Sequence, residues 1–142
     1  KNKLKRWGMW NSLGTEICNN PDDENIRPWF YSWSLLCRYF PTGYNIIDTD
    51  TTGIKGLRLT AGANESDITI AIVNNSKVTN EISLTLPQTI KKAFKKYEYI
   101  EQGRLMDKNG FPVPTEIGIK PNKLTKLQIP ANSFILLTTI SL

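Results

Sequence analysis

Thirteen carboxylates and no histidine stand in this chain of 142 residues. That combination narrows the chemistry sharply. Without an imidazole there is neither a Ser-His-Asp nor a Cys-His nucleophile. Two cysteines, Cys18 and Cys37, do not make a zinc site on their own, so neither a metal nor a cofactor is expected. What remains is acid–base work by a pair of carboxyl groups, and their contexts argue against it. Asp22, Asp23 and Glu24 sit in a polar loop, Asp48 and Asp50 read as turn residues, and Glu65 and Asp67 flank a hairpin. Glu81, Glu98 and Glu101 belong to the polar faces of strands. The reading is that this chain holds no catalytic residue.

The aromatic residues are the second chemically capable group, and they are unevenly spread. Nine of fourteen lie in the first 44 positions: Trp7, Trp10, Trp29, Phe30, Tyr31, Trp33, Tyr39, Phe40 and Tyr44. A net charge of +5 invites a nucleic-acid reading. The lysines, however, cluster at the N-terminus, at Lys91, Lys92, Lys95 and Lys96, and at Lys120, Lys123 and Lys126, while the Arg residues are scattered. The middle cluster flanks Phe94, Tyr97 and Tyr99 as a charged edge strand would. These patterns describe a solvated surface, and no nucleic-acid partner is expected. No apolar run approaches the ~20 residues that span a bilayer. The chain opens Lys-Asn-Lys-Leu-Lys-Arg, without Met or an apolar signal core, as an excised or processed piece would.

Two kinds of element must position these residues. Pro28 suits a first helical turn, and Trp29, Trp33, Leu36 and Phe40 follow the i, i+4, i+7, i+11 spacing of one helical face. Pro41 and Gly43 stop the helix, which spans about residues 28–40. Phe30 and Cys37 widen its apolar girth beyond half, so it should lie between two layers; the sequence leaves open whether Cys18 and Cys37 pair, a buried free thiol being the common case for a Cys in such a pattern. From Ile54 onward the period becomes two. Strands are expected at 56–61, 67–73, 78–86, 94–100, 124–129 and 133–140, with Asn74-Asn75-Ser76 as a turn and Pro87 and Pro130 as stops. The fold class is mainly β: an antiparallel β-sandwich of six to eight strands preceded by an aromatic-rich helical segment. The division falls at residue 44, with 1–44 as the aromatic segment and 45–142 as the sandwich.

Three pieces carry a resemblance. Trp33-Ser34-Leu35-Leu36 followed by Tyr39-Phe40-Pro41-Thr42-Gly43 resembles the last barrel helix and exit loop of retaining glycoside hydrolases with a (β/α)8 barrel. Leu57-Arg58-Leu59-Thr60-Ala61, with the stretch Ile68-Thr69-Ile70-Ala71-Ile72-Val73, resembles the first hairpin of the β-sandwich that follows such barrels. Pro130-Ala131-Asn132-Ser133 and the apolar run after it are similar to that sandwich's closing strand. The resemblance implies that Trp7-Gly8-Met9-Trp10-Asn11 is the eighth barrel strand. Trp10, and Trp7 after it, would then form an aromatic wall for a sugar, since an indole face suits the C–H faces of a pyranose. It also implies that the two carboxylates of the reaction, about 5–5.5 Å apart in a retaining enzyme, lie before this chain begins.

Carbohydrate would therefore be met through a parent enzyme, and a secreted or cell-envelope location follows from that reading. The aromatic segment would be covered either by the missing barrel or by self-association. Two alternatives stand beside it. An independent carbohydrate-binding module needs coplanar exposed aromatics, for which Tyr97 and Tyr99 on one strand face are the candidates. An adhesion or interaction sandwich needs no aromatic segment at all.

Overall fold

The computed structural model describes residues 28–49, 53–86, 89–100 and 103–141. Trp7, Trp10 and Cys18 lie outside them. The described elements are helix α1 (Pro28–Tyr39) and strands β1 (Asn45–Ile47), β2 (Leu57–Ala63), β3 (Ile68–Asn74), β4 (Asn80–Ile82), β5 (Phe94–Tyr99), β6 (Glu116–Ile119), β7 (Leu127–Ile129) and β8 (Ser133–Thr138), with a 3-10 turn at Pro121–Thr125. Six strands form one antiparallel sheet in the order β1-β2-β3-β8-β5-β6, and β4 pairs with β7 in a second. This is the mainly β, antiparallel architecture expected, at the upper end of the strand number.

Strand residues alternate between faces, so the register assigns every side chain to a layer. Ile70 and Ile72 stand opposite Leu137 and Ile135. With Leu57, Ala61, Phe94 and Ile119 they pack against Ile82, Leu127 and Ile129 of the small sheet. The other row, Ala71, Phe134, Leu136 and Tyr97, packs against α1. The large sheet is thus the middle of three layers. That explains why β8 is buried at every position and β3 at all but one. It also explains why Thr69 and Thr138, the polar members of alternating strands, are fully buried and bond each other at 2.8 Å.

Several elements differ from expectation. Residues 78–86 alternate throughout, yet only Asn80–Ile82 pairs in a ladder; Leu84 and Leu86 still pack on the core. Likewise the stretch 124–129 divides into the 3-10 turn and the short β7. The lysine-flanked strand is not an edge, since β5 lies between β8 and β6. Lys96 is accommodated there by Glu98, 2.5 Å away on the same face. The true edges, β1 and β6, have three and four residues, too few to show a period in sequence.

Asn74 closes the sandwich. Its side chain is 1% exposed and donates to the carbonyls of Val78 (2.8 Å), Ile129 (3.0 Å) and Pro130 (2.9 Å). Its Oδ1 accepts from the Ser76 amide and hydroxyl at 3.0 and 2.7 Å. What reads as a turn residue is a staple joining β3 to the loop before β4 and to the β7–β8 turn.

Candidate functional site

Helix α1 is the element whose two sides face different partners. Its sheet side is Tyr31, Leu35 and Tyr39, all at most 2% exposed. This i, i+4, i+8 row differs from the expected Trp29, Trp33, Leu36 and Phe40 row. The physical reason is hydrogen bonding. Tyr39 and Tyr97 join their hydroxyls, with ring centroids 5.2 Å apart. The Tyr31 hydroxyl donates to the Glu98 carbonyl at 3.1 Å, and its ring packs on Tyr99 at 5.2 Å. A phenol buries well once its O–H has a partner, and those partners belong to a strand 58 to 67 residues away.

Burial, and then the nearby Glu98 charge, pushes the Tyr31 phenol up to about 12. Tyr97 is raised further, by burial first and then by its bond to Tyr39. Both hydroxyls therefore stay protonated and available to donate across the physiological range. Just past the helix Phe40 packs closely against β2: a Cβ placed on Gly62 would stand 3.0 Å from the Phe40 ring. Only a glycine lets the ring come so close.

The outer side of α1 carries Trp33, 44% exposed, and Cys37, free and exposed. The expected buried thiol is thus on the surface, because the tyrosine row took the sheet side and turned Cys37 away. Phe111 reaches this helix from the hairpin at residues 105–113. It lies 6.1 Å from Phe30 and beneath the Arg38 guanidinium, 5.4 Å from ring centroid to Cζ. Phe111 is itself 39% exposed. The outer face is therefore apolar and aromatic, edged by a cation. Nothing in the sequence marked Phe111 as its neighbour, since 81 residues separate Phe111 from Phe30.

The suggested sugar platform falls on the opposite side of α1. Tyr97 and Tyr99 do share a face, but that face lies under the helix. Tyr97 is 3% exposed and offers no surface to a pyranose ring. Trp10 and Trp7, the residues that the resemblance nominates, lie outside the described residues.

Four of the described carboxylates, Asp67, Glu81, Glu98 and Asp107, have structural partners. Asp67 takes Lys92 at 2.9 Å and Thr139 at 2.8 Å, tying the β2–β3 turn to the end of β8. Burial pushes its carboxyl up, but the bonds from Lys92, Thr139 and Ser66 outweigh that and hold it below the ordinary range. Glu81 receives Gln128 across the small sheet at 2.5 Å. Asp107 accepts the amides of Asn109 and Phe111 at 2.8 and 2.9 Å. Among the described residues no three Cys, Asp or Glu side chains gather as metal ligands, and no helix is long and apolar enough to cross a membrane.

No protein-family model matches the chain, and no curated relative does. Solved structures match it well. The GH30 subfamily 8 xylanase Xyn30A from Clostridium acetobutylicum aligns with a TM-score of 0.68 at 12% identity, over 89% of this chain and 32% of its own. The chain resembles part of a glycoside hydrolase. A GH30 endoxylanase from Clostridium papyrosolvens C71 gives 0.64 at 14% identity, over 83% of this chain and 29% of its own. A conserved exported protein from Bacteroides fragilis gives 0.58 at 17%, over 78% and 21%. The chain thus spans less than a third of each endoxylanase, which is consistent with the C-terminal portion of such an enzyme. At these identities the likeness is one of fold.

Proposed function

We propose that this chain is the non-catalytic C-terminal region of a glycoside hydrolase, in which residues 1–44 complete a barrel and residues 45–142 form an accessory sandwich. The observation that carries this reading is the two-sided helix. One side of α1 is locked to the sheet by tyrosines. The other presents Trp33 and Cys37 outward, beside Phe111 of the 105–113 hairpin, as a helix shared between a sandwich and a barrel would. The endoxylanase neighbours, matched over most of this chain and under a third of theirs, support the same arrangement.

In this reading the sandwich stabilises the barrel by holding its last helix. Trp10, with Trp7 as the second candidate, would form an aromatic wall on one rim of the carbohydrate cleft. Xylan-type polysaccharides are the substrate class that the neighbours suggest, and the exported neighbour supports a place outside the cytoplasm. The test compares the parent enzyme with a form ending at residue 44, and with this chain alone, on xylan. The chain alone should release no sugar. Truncation should lower the thermal midpoint of the parent and its activity on heating. Hydrolysis by the isolated chain, or a truncated parent as stable as the intact one, would overturn the proposal.

A further inference from the structure

We propose that the Asn109-Gly110 pair is a self-modifying site, gated by the docking of Phe111 on α1. The chain contains one Asn-Gly dipeptide, and it sits at the tip of a hairpin whose stems meet at Met106 and Pro112. Asn109 is exposed. Gly110 has φ +79, the left-handed position that ends a three-residue hairpin loop. No Cβ there shields the backbone nitrogen from the neighbouring side-chain amide.

The chemistry needs only water. The Gly110 backbone nitrogen gives up its proton and attacks Asn109 Cγ, forming the new N–C bond of a five-membered succinimide. The Asn109 Nδ2 leaves as ammonia, carrying the proton. Water then adds to either ring carbonyl and breaks that carbonyl's bond to nitrogen. One route yields aspartate; the other yields isoaspartate, with an extra CH2 in the backbone.

Folding opposes the first step. The Gly110 amide donates to the Asp107 carbonyl at 3.0 Å, and the Asp107 amide donates to the Phe111 carbonyl at 2.8 Å. Asp107 Oδ1 holds both the Asn109 and Phe111 amides. The nucleophile is free only when this loop opens, and the loop is held shut from outside by Phe111 between Phe30 and Arg38. Conversion is then not readily undone. It adds a second negative charge beside Asp107, and the isoaspartate product lengthens the segment between the two amides that Asp107 binds. Phe111 then leaves α1, and the aromatic outer face loses one wall.

The test incubates the full chain at mildly alkaline pH, with and without urea. Peptide mass spectrometry then follows ammonia loss and isoaspartate at residue 109. The folded chain should convert about tenfold more slowly than the chain in urea, since aromatic and cation–π contacts of this kind hold an opening equilibrium by factors up to that size. Phe111→Ala should close most of that gap, and Asn109→Gln should abolish the mass change in this peptide. Arg38→Ala, which removes only the cation over the ring, should accelerate conversion by a smaller factor, and keeps the test readable if Phe111→Ala does not fold. Equal rates with and without urea, or folded rates unmoved by both Phe111→Ala and Arg38→Ala, would overturn the gating. Absence of conversion even in urea would overturn the site.

Discussion

Replacing Tyr97 by Phe removes one oxygen from a pair that holds α1 to the sheet. Tyr39 and Tyr97 are 2% and 3% exposed, and their hydroxyls bond each other. Taking away either oxygen leaves the other buried without its partner, which costs about 1–3 kcal/mol. Taking away both leaves two phenyl rings in the same packing, 5.2 Å apart, and costs under about 1 kcal/mol because neither polar group is orphaned. Tyr97→Phe and Tyr39→Phe should therefore each destabilise the chain by about 2 kcal/mol. The double variant should be more stable than either single one, so the cycle gives a large coupling energy. Urea titration followed by tryptophan fluorescence measures all four members.

The alkaline limb supplies an independent check. Tyr97 is raised by burial first and by its bond to Tyr39 second. A group whose folded pKa lies above its unfolded value contributes stability fully below the unfolded pKa, about 10 for tyrosine. That contribution is lost as pH rises toward the folded value. Wild type should lose stability above pH about 10, and the double Phe variant should lose less. Single variants within about 0.5 kcal/mol of wild type, or a double variant costing the sum of the two, would refute the assignment of the helix lock to this hydroxyl pair.

Three further predictions concern the frame around the helix. Asn74→Asp should destabilise more than Asn74→Ala at neutral pH, because a carboxylate oxygen would replace the Nδ2 that faces three carbonyls; acidification should narrow that difference in urea midpoints as the carboxyl regains a proton to donate. Gly62→Ala should cost about 1–3 kcal/mol by overpacking, since the new methyl meets Phe40 at 3.0 Å and Tyr44 at 3.2 Å, and Phe40→Leu in the same chain should recover part of the thermal midpoint. Asp67 has a lowered pKa, so its contribution is present above the unfolded pKa and lost as pH falls through the folded one. Asp67→Asn should thus lower stability at neutral pH, with the gap to wild type closing as an acid titration of the midpoint passes below about pH 4.

Much of the sandwich was legible because alternation is a local signal. The rows Ile68-Ile70-Ile72 and Leu57-Leu59-Ala61 face the core together because each strand shows its own period of two. Helix α1 was legible from Pro28, its apolar spacing and Pro41. Its sheet-facing side was not. A helix apolar over more than half its girth has several rows that hydrophobicity alone ranks alike, and tyrosine ranks below tryptophan until a distant hydroxyl or carbonyl supplies a partner. Asn74 misled in the same way: an Asn-Asn-Ser run marks a turn, but its three carbonyl acceptors are assembled from two other loops.

Short-range pattern therefore settled helix α1, the long strands β2, β3, β5 and β8 and the absence of histidine chemistry, together with the concentration of aromatics at one end. Those are properties of composition and of a residue's immediate neighbours. The middle-layer position of the large sheet, the burial of Thr69 against Thr138, the tyrosine row of α1 and the meeting of Phe111 with Phe30 and Arg38 came from tertiary packing. Each joins residues dozens of positions apart. Such contacts form only where the folded sheet brings two polar or aromatic groups within a few ångströms, and that distance is written in no local stretch of the chain.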